Sequence, residues 1–189
     1  MRLVVTEFVT LDGVMQDPGG SENTPGGGWA FRFERGLAGD KFKLDELMTA
    51  DAQLLGRVTY SGFAAAWPTI TDEQGFAAKM NSMRKYVVSN TLQSADWTNS
   101  VILRGNVVDE VRKLKAQPGG DILVAGSGQL VHTLTENNLV DEFRLMVYPV
   151  VLGSGKKLFP DGSPSVGFKI VDTQQTGAVL TMRLQPQGS

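Results

Sequence analysis

The stretch DILVAGSGQLVHTL, residues 121–134, decides the fold class because two different periodicities meet in it. Residues 122–125 are all apolar, which predicts a buried strand. Gly126-Ser127-Gly128 follows directly, and the residues after it have helical spacing. A strand that turns at glycines into a helix is typical of parallel α/β sheets. The turn itself is either a phosphate cradle or a tight connection between two packed elements.

Strand and helix patterns alternate outward from this stretch. Strands are predicted at 2–9, 51–56, 85–89, 100–104, 122–125 and 141–153. Helices are predicted at 37–50, 57–67, 73–82, 107–117 and 129–137. Two more strands, 166–175 and 178–186, form a hairpin that turns near Thr176-Gly177. We therefore expect an α/β fold of three αβα layers, with a mainly parallel central sheet and an antiparallel C-terminal hairpin. One domain, 1–189, is the simplest organisation.

The composition is that of an ordinary globular protein and excludes several classes of function. The 189 residues are 41% hydrophobic and 20% charged, with a net charge of −2. A general attraction to nucleic acid is therefore not expected. Absence of cysteine excludes disulfides, thiolate metal sites and thiol catalysis. One histidine, His132, leaves little for a metal site, so no metal is predicted, and we interpret His132 as structural.

The first strand gives an expectation about location. Its apolar run is broken by Glu7 and is too short for a signal peptide or a membrane span. We therefore expect a cytoplasmic protein without a membrane partner.

Two further predicted strand ends carry residues that suit a phosphate. In LLGRVTY, residues 54–60, a strand ends at Gly56, and Arg57 and Thr59 begin a helix. In VVSNTL, residues 87–92, Ser89, Asn90 and Thr91 follow a strand. The carboxyl ends of parallel strands meet at one edge of a sheet, where ligands bind. Each feature also has a structural interpretation as a turn, a helix cap or a surface arginine.

Two nucleotide-binding fingerprints are excluded. The dinucleotide fingerprint needs a third glycine where Val131 stands. A P-loop over GSGKK, residues 153–157, needs glycine at Val150 and a hydroxyl residue at Lys157. We interpret the lysines of this segment as solvated, with contact to a substrate phosphate as the alternative.

Four stretches occur in the order found in the dihydrofolate-reductase-like superfamily: LLGRVTY, VVSNTL, VAGSGQLV and VDEFRLMVYPVVLGSGKKLF. The last of them most resembles the C-terminal reductase domain of the bifunctional riboflavin-biosynthesis deaminase-reductase. FVTLDGVMQ, residues 8–16, is similar to that family's S-L-D-G strand end, with Thr10 in place of serine. The resemblance covers nearly the whole chain. It identifies the superfamily but not the substrate.

The resemblance implies a homodimeric, NADPH-dependent reductase that transfers a hydride to a C=N or C=O bond of a small-molecule substrate. The nearest family activity is reduction of 5-amino-6-(5-phosphoribosylamino)uracil in riboflavin biosynthesis. The cofactor-binding residues that it implies are Gly56, Arg57, Thr59, Gly126, Ser127, Gly128 and Gln129, with Ser89 and Asn90 near the adenosine 2′-phosphate. Two alternatives stay open. One is a reductase of a pteridine, folate or other small molecule, and the other is a non-catalytic protein that binds NADPH or a flavin.

Three carboxylates are candidates for catalysis. Asp12 either orients a substrate or forms an Asp-Gly turn with Gly13. Asp40 precedes Gly56 by a spacing comparable to that of the helix carboxylate in true dihydrofolate reductases, but we favour its interpretation as a helix N-cap. Glu142 resembles an acidic position of the riboflavin reductase domain, and the alternative is a solvated charge at a strand end.

The glycine-rich segment 17–29 predicts a long loop, and such loops inside compact domains are usually functional. Trp29 closes this loop. We expect Trp29 to be a core or lid residue, and as a lid it would fold over a bound ring.

Overall fold

An eight-stranded sheet runs through the computed structural model, which describes residues 1–187. The strands are β1 (Arg2–Thr10), β2 (Ala50–Gly56), β3 (Arg84–Val88), β4 (Ser100–Leu103), β5 (Asp121–Ala125), β6 (Glu142–Tyr148), β7 (Phe168–Thr176) and β8 (Val179–Pro186). The helices are α1 (Gly36–Thr49), α2 (Arg57–Ala66), α3 (Phe76–Ser82), α4 (Val107–Lys115) and α5 (Gly128–Glu136). Two short 3₁₀ helices lie at Trp29–Arg32 and Trp67–Thr69.

The strand order is β4-β3-β2-β5-β1-β6-β8-β7. The first six strands of this order are parallel to their neighbours, whereas β8 is antiparallel to both β6 and β7. One face of the sheet packs against α4 and α5, and the other against α1, α2 and α3. The predicted three-layer α/β fold with an antiparallel C-terminal hairpin is thereby confirmed.

Strand β1 shows how the sheet is buried on both faces. Successive side chains of a strand point to opposite faces. Leu3 and Val5 accordingly lie in the core under α4 and α5, and Val4 lies in the core under α1, α2 and α3. A parallel strand that is covered on both sides is apolar along most of its length, as the sequence of β1 is.

Two predicted boundaries are wrong by three residues or more, for local reasons. The long strand predicted at 141–153 ends at Tyr148, because the next residue, Pro149, has no N–H for the ladder. The helix predicted from 73 begins at Phe76 instead. Its start is fixed by Asp72, whose carboxylate accepts hydrogen bonds from the N–H groups of Phe76 and Ala77 at 2.9 and 2.6 Å. Among residues 1–187, no helix is long and apolar enough to cross a membrane.

Lys85 on β3 is a fully buried cation. Its Nζ donates hydrogen bonds to the carbonyl oxygens of Asn81, Met83 and Thr98 at 2.8, 2.9 and 3.0 Å. The same atom lies 4.1 Å from the centroid of the Trp97 ring. Lys85 therefore ties the end of α3 and the loop before β4 to the sheet.

We expect Lys85→Met to lower the free energy of unfolding by about 1–3 kcal/mol, because three backbone carbonyls would lose their donor. Urea unfolding followed by circular dichroism measures this change. Lys169→Met, at an exposed position on β7, is the matched control and should change stability by less than about 0.5 kcal/mol. Equal effects of the two substitutions would contradict the anchoring role.

Candidate functional site

The carboxyl ends of β3, β2, β5 and β1 lie side by side, since these strands are parallel neighbours. We call this the carboxyl edge of the sheet. Gly56 ends β2, Gly126 follows β5, and Ser89 follows β3. The three strand ends predicted from the sequence are therefore brought together, at the place where α/β sheets bind ligands.

Ser127 joins the ends of β2 and β5. The backbone N–H of Gly56 donates to Ser127 Oγ at 2.9 Å, and that hydroxyl donates to the carbonyl oxygen of Ala125 at 3.0 Å. The N–H of Ser127 donates to Thr59 Oγ1 at 2.9 Å. The polar atoms of Ser127 and Thr59 thus hold α2 and α5 next to each other. These atoms are therefore occupied by hydrogen bonds that position the two helices.

The turn between β5 and α5 requires a glycine. Gly126 and Ser127 have φ values of 56° and 58°, both in the left-handed region. A Cβ atom on Gly126 would lie 2.9 Å from Thr59 Oγ1. Only glycine allows this close approach without displacing Thr59. The glycine turn therefore serves the packing of α2 against α5, which was one of its two predicted roles.

Two helices begin at this edge, α2 at Arg57 and α5 at Gly128. The first N–H groups of a helix have no acceptor in their own helix and carry the positive end of its dipole. The Arg57 side chain is exposed at one of these starts and adds a fixed positive charge, and Gln129 is exposed at the other. This arrangement suits a phosphate or pyrophosphate, which was the other predicted role.

Ser89 and Asn90 shape the loop that follows β3. Ser89 is buried, and its Oγ accepts a hydrogen bond from the N–H of Leu92 at 2.9 Å. The Oδ1 atom of Asn90 accepts from the N–H of Gly105 at 3.0 Å. Both residues lie at the carboxyl edge, as predicted, while their acceptor atoms are used inside the loop.

Asp12 is built into the turn after β1. Its carboxylate accepts hydrogen bonds from Thr10 Oγ1 at 2.5 Å and from the N–H groups of Gly153 and Leu152 at 2.7 and 3.3 Å. The hydrogen bond from Thr10, with smaller contributions from these amides, lowers the pKa of Asp12. The structure therefore fits the turn interpretation, in which Asp12 ties the end of β1 to the loop after β6.

The interpretation of Asp40 as an N-cap is wrong. Asp40 lies inside α1, which begins at Gly36 with Arg35 at the N-cap position. The Asp40 carboxylate accepts a hydrogen bond from Arg35 Nε at 2.6 Å. Both side chains line a cleft of about 440 Å³, whose apolar wall includes the rings of Phe8 and Tyr148. A carboxylate on the first helix thus faces a cleft, as the catalytic alternative requires.

Glu142 lies away from the carboxyl edge, and the structure does not bring it together with the other predicted residues. It is the first residue of β6, at the amino end of the parallel strands, and it is fully buried. Its carboxylate accepts from Arg144 Nε at 2.6 Å, Arg2 Nη2 at 2.9 Å and Arg183 Nε at 3.1 Å. The prediction of a solvated charge is wrong, and a position among three arginines at the opposite edge does not fit the predicted catalytic role.

Other residues singled out in the sequence have structural partners. His132 Nε2 lies 3.1 Å from the carbonyl oxygen of Leu158, in keeping with a structural role. Trp29 is fully buried, and its Nε1 donates to the carbonyl oxygen of Gln16 at 2.8 Å, so it is a core residue and not a lid. Lys157 pairs with Asp161 at 3.1 Å on the surface.

Two buried carboxylates are absent from the predicted residues, one in β1 and one on α1. Glu7 on β1 and Glu46 on α1 are 6% and 5% exposed. Lys43 on α1 pairs with Glu46. A signal existed for Glu7, because it interrupts the apolar run of a strand that is buried on both faces.

Sequence comparison identifies related proteins over nearly the whole chain. The family described as the RibD C-terminal domain matches residues 2–182. The uncharacterized protein YyaP of Bacillus subtilis (strain 168) is 33% identical over 176 residues, which are 92% of this chain and 88% of that protein. The uncharacterized protein YwjB of the same strain is 27% identical over 181 residues, 96% of this chain and 95% of that protein.

Solved structures share the fold. A putative riboflavin biosynthesis protein from Shewanella sp. PV-4 superposes with a TM-score of 0.76 at 18% identity, over 100% of both chains. RibD of Acinetobacter baumannii has a TM-score of 0.68 at 15% identity, over 98% of this chain and 58% of that chain. A pyrimidine reductase-like protein of Corynebacterium diphtheriae has a TM-score of 0.63 at 12% identity, over 100% of this chain and 92% of that one. The family match confirms the predicted resemblance to the C-terminal domain of the riboflavin-biosynthesis protein, and the solved structures confirm the fold.

The position of Glu142 predicts a pH-dependent contribution to stability. Burial alone would raise the pKa of this carboxyl, but hydrogen bonds from Arg183 and Arg144 lower the pKa from its ordinary 4.5 to about 2. We expect Glu142→Gln to lower the free energy of unfolding by about 3–5 kcal/mol near neutral pH. Because the folded-state pKa is lowered, the advantage of the wild type is complete above pH 4.5 and disappears as the pH falls towards 2.

Urea unfolding of both proteins between neutral and acidic pH measures this advantage. Glu136→Gln, at an exposed position on α5, is the control and should follow the wild type at every pH. A difference between wild type and Glu142→Gln that does not change with pH would contradict the ion-pair account.

Proposed function

The chain belongs to the RibD C-terminal domain family, and from this premise we propose that it is a reductase that uses NADPH to transfer a hydride to a C=N or C=O bond of a small molecule. The nearest candidate reaction is the reduction of 5-amino-6-(5-phosphoribosylamino)uracil. The proposal is carried by one observation. Ser127 clamps the starts of α2 and α5 together at the carboxyl edge, so that two helix N-termini converge beside the exposed Arg57.

The residues at this edge fit the phosphates of NADPH. Gly126 leaves the backbone open where a Cβ would collide with Thr59. The N–H groups at the starts of α2 and α5 can donate hydrogen bonds to a negatively charged pyrophosphate. Arg57 adds a planar guanidinium that is always positively charged. We assign the pyrophosphate to these groups. The loop that carries Ser89 and Asn90 is assigned to the adenosine 2′-phosphate.

The cleft beside α1 is suited to a flat, ring-shaped substrate. Phe8, Phe33 and Tyr148 contribute aromatic surface to it, and Phe31 lines it with 84% of its surface exposed. Aromatic side chains stack well on planar heterocycles, and binding clefts typically combine such walls with a few polar groups. Asp40 and Arg35 are the polar groups here. A carboxylate on α1 is also what favours the second candidate function, reduction of a pteridine or folate.

NADPH would supply the hydride when bound, and the protein would supply position and environment. Arg57 and the helix starts hold the phosphates, which fixes the nucleotide along the carboxyl edge. The cleft holds the substrate on the α1 side of β1. Segment 17–29 contributes Pro18 and Gly19 to the lining of that cleft. It is held in shape by Asp17, whose carboxylate accepts hydrogen bonds from the N–H groups of Glu22 and Thr24 at 2.9 and 3.0 Å.

Titration with NADPH, followed by nicotinamide fluorescence and thermal shift, tests the proposal. We expect binding with a Kd on the order of micromolar, and weaker binding of NADH because it lacks the 2′-phosphate. Arg57→Ala should raise the Kd for NADPH about 10- to 100-fold, since it removes a charged hydrogen-bond donor. Gly126→Val should abolish binding, because its side chain would displace Thr59.

Arg84→Ala is the matched control, because Arg84 is also exposed but begins β3 at the opposite edge. It should bind NADPH as the wild type does. Equal Kd values for the Arg57 and Arg84 variants, or no binding by the wild type, would reject the proposed site. Tight binding without turnover of the uracil substrate or dihydrofolate would favour a non-catalytic nucleotide-binding protein.

A further inference from the structure

The mouth of the cleft beside α1 carries two large apolar side chains that are surrounded by water. Phe31 and Leu37 are 84% and 88% exposed, and both line the cleft. They come from different elements, since Phe31 belongs to a 3₁₀ helix and Leu37 to the first turn of α1. Single exposed apolar residues are common on protein surfaces. Apolar side chains that gather around one cleft are instead typical of a binding site.

The wall behind these two side chains is aromatic. The centroids of the Phe8 and Phe33 rings lie 5.4 and 6.3 Å from that of Tyr148. All three rings line the cleft, and its volume of about 440 Å³ is that of a small-molecule site. Planar ring systems stack on aromatic surfaces. The inner part of the cleft therefore suits a planar ring, and the mouth suits an apolar group attached to that ring.

The charged side chains that line the cleft disfavour an anion. They are Glu34, Arg35 and Asp40. Arg35 Nε donates a hydrogen bond to Asp40 at 2.6 Å, and the same guanidinium lies 5.7 Å from the centroid of the Phe8 ring. None of the ion pairs among residues 1–187 includes Glu34. The lining therefore carries one negative charge in excess, and its arginine is already paired.

The lysine that lies one turn further along α1 is paired as well. Lys43 pairs with the buried Glu46, and its Nζ lies 5.2 Å from the centroid of the Phe8 ring. To bind an anion in the cleft, Lys43 would have to leave a buried carboxylate uncompensated, which is costly. A phosphate or carboxylate of a ligand would therefore compete with Asp40 and Glu46 for these two cations.

We propose that the substrate of this cleft is a planar heterocycle that carries an apolar substituent and no phosphate or carboxylate, and that Phe31 and Leu37 select the substituent. The inference rests on the reductase function proposed above and names its class of substrate. The ring, which contains the C=N or C=O bond, stacks on the aromatic wall beside Asp40 and Arg35. The substituent covers Phe31 and Leu37 and removes their apolar surface from water.

Both candidate substrates named above lie outside this class. 5-Amino-6-(5-phosphoribosylamino)uracil carries a phosphate, and dihydrofolate carries the carboxylates of its glutamate. An anionic group at the mouth would be repelled by Glu34 and Asp40, and it would leave Phe31 and Leu37 exposed to water. We therefore expect a ring with an apolar substituent to bind more tightly than either of them.

Binding of two fluorescent pterins to the protein without nucleotide tests the class of ligand. 6-Phenylpterin and 6-carboxypterin have the same ring and differ only in an apolar or an anionic substituent. Quenching of the pterin fluorescence should give a Kd for 6-phenylpterin that is at least about 10-fold lower than the Kd for 6-carboxypterin. Equal affinities, tighter binding of 6-carboxypterin, or binding of neither pterin would overturn the proposal.

Phe31→Ser and Leu37→Ser test the two residues at the mouth. Each substitution should raise the Kd of 6-phenylpterin about 5- to 20-fold, because less apolar surface leaves water on binding. The Kd of 6-carboxypterin should stay within about twofold. Ile170→Ser is the matched control, since Ile170 is also exposed but lies on β7, outside the lining of the cleft. An unchanged Kd of 6-phenylpterin in both cleft variants would overturn the assignment. All three positions are exposed, so the variants should fold, which circular dichroism checks.

Glu34→Lys tests the charge of the cleft. It should lower the Kd of 6-carboxypterin about fivefold and change the Kd of 6-phenylpterin by less than about twofold. Glu136→Lys, at an exposed position on α5, changes the net charge of the protein equally and should leave both Kd values unchanged. Equal effects of the two substitutions would contradict a charge selection by the cleft.

A second copy of the chain is the other occupant that could cover Phe31 and Leu37. Analytical ultracentrifugation of the wild type and of the doubly substituted Phe31→Ser/Leu37→Ser protein distinguishes the two. We expect the same oligomeric state for both. A wild-type dimer that dissociates in the variant would overturn the proposal, because the two side chains would then be covered by protein.

Kinetics connect the cleft to the reaction. With NADPH and 6-phenyl-7,8-dihydropterin, Phe31→Ser and Leu37→Ser should raise KM about 5- to 20-fold and leave kcat within about twofold, since the two residues contact the substituent and not the reacting bond. A lowered kcat at unchanged KM would contradict the selecting role.

The outcomes separate this inference from the proposed function, because the pterin measurements need no nucleotide. If the wild type binds no NADPH, the reductase function is overturned whatever the pterins do. If it binds NADPH and the Kd values of the two pterins are equal, only the inference is overturned.

Discussion

The candidate site depends on the hydrogen bonds of one short turn. Ser127 accepts from Gly56 at the end of β2 and donates its own N–H to Thr59 at the start of α2. These bonds require the left-handed backbone at Gly126 and Ser127. With them in place, two helices start next to each other at one edge of the sheet, and the first N–H groups of each have no acceptor within their own helix. The sequence suggested Ser127 and Thr59 as ligand contacts, but in the structure their polar atoms form the hydrogen bonds that join β2, α2 and the turn before α5.

The two edges of the sheet treat buried charge in opposite ways. At the amino end of the parallel strands, Arg144 bridges Glu142 and Asp121 at 2.6 and 2.8 Å, and Glu142 also accepts hydrogen bonds from Arg2 and Arg183. Towards the carboxyl edge, Glu7 Oε1 and Glu46 Oε2 are buried and have no hydrogen-bond partner among residues 1–187. Complete pairing of a buried charge stabilises the fold, whereas a buried polar atom without a partner costs free energy.

Local patterns in the sequence predicted the fold and the three strand ends of the carboxyl edge. The strand ends at Gly56, Ser89 and Gly126 were predictable, because apolar runs followed by glycine or small polar residues mark them and parallel neighbours align them. The roles of the carboxylates were not predictable. Glu142 acquires its role from arginines that are far away in the sequence, Arg2 and Arg183. Spacing along the chain contains no information about such pairs.

The strand order also determines at which point of folding the candidate site can form. β5 lies between β1 and β2, although both precede it in the chain by a wide margin. The bonds of Ser127 to Gly56 and Thr59 span 71 and 68 residues. Contacts between residues so far apart in the chain stabilise the fold only after the chain has lost the conformational entropy of closing a long loop. The first half of the chain therefore contains β1 and β2 but not β5, the strand that lies between them and pairs with both. The carboxyl edge is assembled only when β5 joins β1 and β2.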